Sequence, residues 1–254
     1  MNLDTRRDKI VEILNQEGRV TVSALSKKFQ ISSVTIRMDL EELEKMGLCS
    51  RVHGGAISSY KPYYNMNLSQ RSAANEAEKK IIAAHIATLV HDSDTIMMNA
   101  GSTTLFVLRM LSRHKDLKSV TNSVAIALEA AGNPDFHVVL LGGNVNTKYQ
   151  FTYGDDALRQ LSEYRVDKLI LSVDGIDASS GLSTYYEQEA EICRSMIEHS
   201  ALQIVVADFS KFDRVAFSHI APLSAVSDIV TNAKIPKETV SKLKKAKPNL
   251  ILVD

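Results

Sequence analysis

The chain has 254 residues, a length that suits one small and one medium domain and allows a substantial buried core. Its formal net charge is zero and its pI is near 7.1, which argues against a general nucleic-acid coat or a membrane-surface protein. The two cysteines, Cys49 and Cys193, and the seven scattered histidines show neither a disulfide framework nor the spacing of a metal site. We therefore expect no metal and no cofactor.

Membrane insertion is also not expected. No run approaches the roughly 18 consecutive apolar residues that a membrane span needs. The first five residues carry no apolar signal segment. We expect a cytoplasmic protein without a membrane partner.

Residues 1–57 predict a small helical domain that ends in a hairpin. Apolar side chains recur at helical spacing in residues 7–16 and again in residues 22–29. A tight turn at residues 30–31 separates these from a third helix over residues 32–47. This arrangement is typical of a helix-turn-helix, whose last helix enters the major groove of DNA.

The third helix has clear start and stop signals, with a serine N-cap at its start and Gly47 at its end. Its apolar face consists of Ile36, Leu40 and Leu43. A short alternating strand and a Gly-Gly turn follow and predict a wing. The side chains that can hydrogen-bond phosphates or base edges are Ser33, Thr35 and Arg37 on the helix and Arg51 and His53 on the wing.

A small helical domain used for protein contact is the alternative to DNA binding. Residues 1–56 hold nine Lys/Arg against eight Asp/Glu, which is hardly basic. The acids cluster in the later half of the third helix, at Asp39, Glu41, Glu42 and Glu44. Lys27, Lys28, Arg37 and Arg51 come from elements that could surround a groove. This local segregation favours DNA binding.

Residues 58–75 are polar and aperiodic and predict a linker. In residues 76–254, short apolar runs alternate with helical stretches, which predicts an α/β domain with a largely parallel sheet. The predicted strands cover residues 95–98, 119–120, 137–141, 168–173, 202–207, 228–230 and 250–253. The predicted helices cover residues 76–90, 105–111, 124–131, 155–161, 190–199 and 237–246.

Small, hydroxylic, amide and charged residues follow five of these strands, at the edge where open α/β sheets bind ligands. The loop of residues 99–104 has the chemistry of a phosphate cradle. Gly101 lets the backbone come close, Ser102, Thr103 and Thr104 supply hydroxyls, and a helix begins there. The loop has no lysine and lacks the Walker spacing, so it does not predict nucleotide hydrolysis. An ordinary strand-to-helix turn with a threonine cap is the alternative.

The chain resembles the DeoR family of bacterial transcriptional regulators over essentially its whole length. In the N-terminal part the resemblance rests on Arg6-Arg7, Gly18-Arg19-Val20, Leu25-Ser26, Phe29, Ser32, Thr35-Ile36-Arg37, Asp39-Leu40, Leu43 and Arg51-Val52-His53-Gly54-Gly55-Ala56. In the C-terminal part it rests on Glu78-Lys79, Gly101-Ser102-Thr103-Thr104, Thr121-Asn122-Ser123, Gly142-Gly143, Asp174-Gly175-Ile176-Asp177, Gly181-Leu182-Ser183-Thr184, Glu189-Ala190 and Asp208-Phe209-Ser210-Lys211-Phe212. Two positions depart from the family: Met38, where a second basic residue is common, and Asn99, where aspartate is usual.

The resemblance implies a regulator, commonly a repressor, that binds operator DNA and responds to a phosphorylated sugar effector. It also implies a sensor domain similar in fold to ribose phosphate isomerases. On this reading residues 101–104 hold the phosphate, Asn122, Asp174 and Glu189 take sugar hydroxyls, and Lys211 supplies countercharge. A solvated surface lysine is the alternative for Lys211, and a turn cap is the alternative for Asp174.

A sugar-phosphate isomerase with an added helix-turn-helix domain is the rival class. In those isomerases a lysine- and glycine-rich catalytic stretch follows the Asp-Gly-x-Asp motif, whereas residues 181–189 contain no lysine. We therefore expect a sensor without catalytic residues, and a purely structural adaptor ranks last. Because one small reading head contacts few base pairs, we expect a homodimer or homotetramer held mainly by residues 76–254.

Overall fold

The computed structural model describes residues 3–17, 19–46, 48–58 and 66–254. Its contacts divide the chain into two compact units, Met1–Asn67 and Leu68–Asp254. Gly47, the predicted end of the third helix, lies outside the described residues, and so do residues 59–65 of the predicted linker. The later part of that linker forms a helix of the second unit, so this unit begins earlier than residue 76.

The first unit contains the predicted three helices and wing. Its elements are α1 (Leu3–Glu17), β1 (Arg19–Thr21), α2 (Val22–Phe29), α3 (Ser33–Lys45), β2 (Cys49–Val52) and β3 (Gly55–Ser58). Gln30 ends α2 in the left-handed conformation, with φ of 56°, and so makes the tight turn before α3. Ser32 caps α3 by accepting a hydrogen bond from the Thr35 backbone N–H at 3.1 Å. The wing strands β2 and β3 are antiparallel, and β1 pairs with β3 as a third strand that the sequence did not predict.

The core of the first unit joins all three helices to the sheet. Ile10 and Leu14 of α1 meet the apolar face of α3. That face is fully buried and consists of the predicted residues Ile36, Leu40 and Leu43. Burying each such side chain contributes about 1.5–3 kcal/mol, so the amphipathic pattern fixes which side of α3 faces solvent.

An ion pair inside the first unit ties α3 to α1. Asp39 is almost fully buried and accepts hydrogen bonds from Arg6 Nε at 2.6 Å and Arg6 Nη2 at 3.0 Å. Arg7 Nε adds a third bond to the same carboxylate at 3.3 Å. Asp39 therefore does not belong to the exposed acidic group to which its position in the sequence assigned it. It fixes the orientation of α3 instead.

The second unit is built on a seven-stranded sheet in the order β15-β14-β12-β9-β4-β5-β6, in which every neighbouring pair is parallel. Its helices are α4 (Leu68–Ala73), α5 (Glu76–Leu89), α6 (Ser102–Met110), α7 (Val124–Ala130), α8 (Asp155–Ser162), α9 (Glu187–Glu198) and α10 (Lys237–Leu243). The strands of the main sheet are β4 (Thr95–Met98), β5 (Leu117–Thr121), β6 (Phe136–Leu140), β9 (Val166–Ser172), β12 (Ser200–Val206), β14 (Asp228–Asn232) and β15 (Asn249–Val253). The predicted α/β class is confirmed.

Each face of this sheet carries its own core. Along β9, Leu169 and Leu171 enter one cluster together with side chains of α8, α9 and α10. Ile170, between them, enters the other cluster with side chains of α5, α6 and α7. Central strands buried on both faces read as continuous apolar runs, which is why the sequence located them well. None of the helices in the described part of the chain is long and apolar enough to cross a membrane.

Two small antiparallel sheets were not predicted. The hairpin of β7 (Asn144–Asn146) and β8 (Phe151–Tyr153) follows β6, and β10 (Gly175–Asp177), β11 (Gly181–Thr184) and β13 (Ser218–Ala221) form a second sheet. These strands have three or four residues and no apolar run, so periodicity cannot detect them. The register of β10 and β11 depends on Gly181, whose φ is +77° and whose added Cβ would lie 2.3 Å from a backbone oxygen.

The Asp39 ion pair gives the first prediction. Asp39→Asn should destabilise the first unit by about 3 kcal/mol, because it leaves Arg6 buried without a counter-ion. Hydrogen exchange of the α1 and α3 amides in the full chain measures this loss. The control is Glu42→Gln, which removes an exposed pair with Lys45 on the same helix and should leave exchange unchanged. Equal protection in both variants would contradict the role given to Asp39.

Candidate functional site

The exposed side of α3 presents the predicted DNA contacts of this helix. Ser33 and Arg37 are exposed, and Thr35 is half-buried with its hydroxyl 2.9 Å from Ser32 Oγ. No ion pair engages Arg37 within the part of the chain that the structure describes, so its guanidinium is available to a phosphate or a base edge. Val34 is also exposed beside them, although nothing in the sequence pattern marks it.

The wing places its two predicted contacts differently. His53 is exposed in the turn between β2 and β3. Arg51 lies against the acidic half of α3: its Nη1 is 3.9 Å from Glu41 Oε2, and its backbone N–H donates to Glu44 Oε1 at 2.6 Å. Both partners are exposed, so this pair is weak and a phosphate can compete with Glu41.

In the second unit, the loop after β4 is held by asparagine side chains. Asn99 Nδ2 donates to the Ser172 carbonyl at 2.9 Å, and Asn99 Oδ1 accepts from the Ser172 N–H at 2.8 Å. Asn122 Oδ1 accepts from the Ala100 N–H at 3.0 Å, while its Nδ2 donates to the Thr152 carbonyl at 3.2 Å. Both amides are thus bound to backbone, and they position the loop. The predicted contact between Asn122 and a sugar hydroxyl would have to compete with these bonds.

The predicted phosphate cradle forms the N-terminus of α6. Gly101 is its N-cap, and no side chain caps the first turn. The Thr104 hydroxyl donates to the carbonyl oxygens of Asn99 and Gly101, and Ser102 and Thr103 are buried. Gly101 is needed for close approach, because an added Cβ would lie 2.5 Å from Ser172 Cβ. The backbone N–H groups of this turn are therefore the donors that the loop can offer to an anion.

Asp174 is buried at the end of β9 and forms an ion pair with Arg71 of α4. The Arg71 guanidinium also stacks on the Tyr149 ring at 4.5 Å from its centroid. Tyr149 packs with Ala100 and Tyr186, which connects this pair to the loop after β4. Burial opposes ionisation of Asp174, yet Arg71 and Lys211 hold its pKa below the usual value.

Glu189 and Asp174 share one hydroxyl. Thr184 Oγ1 is 2.8 Å from Glu189 Oε2 and 3.1 Å from Asp174 Oδ2. A hydroxyl has a single proton, so it can donate to one carboxylate and must accept from the other. Burial, and then the charge of Asp174, raise the pKa of Glu189 to about 8. Glu189 is therefore the protonated partner at neutral pH, and it donates to Thr184, which donates to Asp174.

Lys211 is buried rather than solvated, so the surface-lysine alternative is wrong. It lies beside Asp208, Asp174 and Arg71, and burial lowers its pKa to about 7. Asp208 follows β12 and accepts hydrogen bonds from Asn75 Nδ2 and the Ser210 N–H, both at 3.0 Å. Burial opposes ionisation of Asp208, while Lys211 and Lys79 lower its pKa.

These groups form a buried cluster of basic and acidic side chains. Its basic side chains are Arg71, Lys79, Lys211 and Arg214, and its ionised carboxylates are Asp174 and Asp208. Glu189 is neutral, and the neighbouring Glu78 is paired with Lys234 at 2.5 Å. Buried charges are costly unless they are paired, so these side chains hold one another in place.

The structure thus brings Asp174, Glu189 and Lys211 together, and it sets residues 101–104 and Asn122 beside them. Sequence reasoning missed Arg71 because it lies in the segment predicted as a linker, and it missed Tyr149 because no motif marks it. Lys79 belongs to the Glu78-Lys79 match to the family, but that match gives it no role in the site. A basic residue in a polar segment carries no signal of burial. Among the residues that the structure describes, no group of three His, Cys, Asp or Glu side chains is placed to hold a metal ion.

A winged helix-turn-helix unit, together with an α/β unit whose buried charges gather at the carboxyl edge of its sheet, defines a DNA-binding regulator with a sensor domain. Comparison with known families agrees. A model of the DeoR-like helix-turn-helix domain matches residues 6–61, and a model of the DeoR C terminal sensor domain matches residues 74–233. The chain belongs to the DeoR family of transcriptional regulators.

Individual relatives match over nearly the full length. A protein of Escherichia coli O157:H7, named provisionally as an aga operon transcriptional repressor, is 36% identical over 98% of this chain and 93% of its own. The transcriptional repressor AccR of Agrobacterium fabrum is 35% identical over 90% of this chain and 89% of its own. The glycerol-3-phosphate regulon repressor of Escherichia coli K12 is 32% identical, covering 93% of both chains. These relatives are regulators, so the isomerase-like alternative is set aside.

Solved structures show a partial likeness. A ribose 5-phosphate isomerase from Plasmodium falciparum is 21% identical, covers 53% of this chain and 52% of its own, and has a TM-score of 0.39. A likeness at this level carries no conclusion about activity.

The Glu189 assignment gives the second prediction. A raised pKa means that the folded state holds a proton that the unfolded chain releases near pH 4.5. Stability from this group is therefore complete below about pH 4.5 and is lost as the pH rises to about 8. Glu189→Gln keeps the side chain neutral at every pH. The free energy of unfolding of the variant should therefore rise relative to that of the wild type across this window, by at most about 1.4 kcal/mol per pH unit.

Thermal unfolding of both proteins between pH 5 and pH 8.5 measures this difference. Glu187→Gln is the matched control, because Glu187 is exposed on the same helix and should leave the pH profile unchanged. A constant difference between Glu189→Gln and the wild type at all pH values would contradict a protonated Glu189.

Proposed function

We propose that the chain is a repressor of a sugar-utilisation operon whose binding to operator DNA is controlled by a phosphorylated sugar. The observation that supports the effector part is the pair of buried basic side chains Arg71 and Lys211 at the carboxyl edge of the sheet, together with an α6 N-terminus that no side chain caps. Because its target is DNA, the protein is proposed to act in the cytoplasm.

On the DNA side, the proposed contacts are Ser33, Thr35 and Arg37 on α3 and Arg51 and His53 on the wing. The first turns of a recognition helix contact base edges, and a wing beside it contacts phosphates. The acids Glu41, Glu42 and Glu44 lie beyond these turns, and Lys45 neutralises part of their charge at 2.8 Å from Glu42 and 3.6 Å from Glu41. The polar first turns are thus the part of α3 that suits a groove.

On the effector side, the phosphate is proposed to bind between Arg71, Lys211 and the free N–H groups at the start of α6. An anion there would compete with Asp174 for Arg71 and release carboxylate oxygens to accept sugar hydroxyls. Glu189, as a neutral acid whose proton bonds Thr184, can accept from a sugar hydroxyl without repelling a phosphate. Asn122 is proposed to hold the loop in the shape that this binding needs.

The names of the relatives fit this class of effector. One names the regulon of a phosphorylated polyol, glycerol 3-phosphate, and another names an operon. A repressor that reads an operon needs more than one reading head. We propose that sensor units supply a homodimer or homotetramer, and the edge strands β6 and β15 support this because each exposes a leucine, Leu140 or Leu252.

The third prediction tests DNA contact. Arg37→Ala should weaken operator binding, by about 1–3 kcal/mol with relaxed specificity if Arg37 contacts a base edge, or uniformly across sequences if it contacts a phosphate. Arg51→Ala should weaken binding to all sequences alike. Gel shifts at fixed salt across operator variants separate these outcomes. Lys45→Ala, an exposed basic residue at the other end of α3, is the control and should bind normally. Unchanged affinity for both arginine variants would sink the proposal.

The fourth prediction tests the effector. In a melting screen over hexose, pentose and amino-sugar phosphates, one compound should raise the melting temperature by about 5 °C or more at saturation, while its non-phosphorylated form should not. Lys211→Met should lose the response and stay folded, because a lysine with a pKa near 7 contributes little charge to stability. The double variant Ser102→Ala, Thr103→Ala should also show a smaller rise in melting temperature with the same compound.

The control for this screen is Lys118→Met, which removes an exposed lysine of β5 away from the cluster and should respond as the wild type does. Operator binding without effector should be normal in all three variants. A normal response of both Lys211→Met and the double variant to a confirmed effector would place the phosphate elsewhere.

A further inference from the structure

The exposed side of α3 carries two apolar side chains that the core does not use. Val34 and Met38 are each 61% exposed, whereas the other apolar residues of this helix, Ile36, Leu40 and Leu43, are buried. Single exposed apolar residues are common on protein surfaces and need no explanation. Here two of them lie one turn apart, at i and i+4, on the side of the helix that the fold turns outward.

Their neighbours mark the same surface as a reading surface. Ser33 and Arg37 are exposed next to them, and the exposed acids of α3 begin only at Glu41. The pair therefore lies among the polar residues of the first turns, at the part of a recognition helix that reaches base edges. A surface for contact with another protein would not require its apolar side chains at the first turns of a recognition helix.

In the major groove, the apolar partner for such side chains is the C5-methyl group of thymine, which no other base carries. We propose that Val34 and Met38 each contact a thymine methyl and so determine part of the operator sequence. This inference rests on the proposed DNA binding and deepens it. Side chains at i and i+4 lie about 5–6 Å apart and bases stack about 3.4 Å apart, so the two thymines fall within about two base-pair steps.

The test removes the C5-methyl group of thymine and leaves the rest of the base unchanged. The full chain first selects its preferred duplexes from a randomised pool, and each thymine of the selected site is then replaced in turn by deoxyuridine. The wild type should lose about 4-fold in affinity at one or two positions, the value expected for one buried methyl group. The doubly substituted Val34→Ala, Met38→Ala protein should bind thymine and deoxyuridine duplexes equally.

Met46→Ala is the matched control, because Met46 is 63% exposed at the end of the same helix and should keep the wild-type sensitivity. In a second variant, Met38→Arg, selection should shift from thymine towards guanine at the affected position. Deoxyuridine without effect on the wild type, or with an equal effect on the double variant, would overturn the inference while leaving DNA binding intact. Selection of no duplex by the wild type would instead overturn DNA binding itself.

Discussion

The arrangement of the second unit depends on the buried ion pair between Arg71 and Asp174. Each charge has lost most of its water, so each is stable only while the other, or a substitute, stays in place. Glu189, beside this pair, stays neutral, because burial and the charge of Asp174 make a second buried negative charge too costly. The pair is thus the point at which an added anion changes the balance most.

Through this ion pair, effector binding would act on the helix that carries Arg71. Arg71 belongs to α4, the first helix of the second unit, and the Lys79 ammonium bonds the carbonyl oxygens of Arg71 and Ala74 near its end. In the proposed function, a phosphate that binds Arg71 replaces Asp174 as its ion-pair partner. The interaction that anchors α4 is then a different one. A ligand can shift DNA binding only through such a difference between two states. The same change would favour protonation of Lys211, whose pKa burial lowers to about 7.

The sequence predicts the framework well because apolar periodicity reports burial. Apolar periodicity predicts the strands that flank the site and the apolar face of α3. What it could not report is which polar residues are buried: Asp39 reads as one of four surface acids, and Arg71 reads as part of a linker, yet both are central ion-pair partners. The family resemblance identifies Lys211 and Glu189 as site residues. The burial that shifts the pKa of each towards neutral pH follows only from tertiary packing. The exposure of Val34 likewise depends on which side of α3 the core covers.

The most direct test of the proposed effector control is a closed thermodynamic cycle on the full chain with one identified sugar phosphate. Operator affinity is measured with and without the sugar phosphate, and sugar-phosphate affinity is measured with and without operator. Because coupling is reciprocal, the account predicts that both affinities change by the same factor, about 5- to 150-fold. A sugar phosphate that binds the cluster while both factors equal one would contradict it.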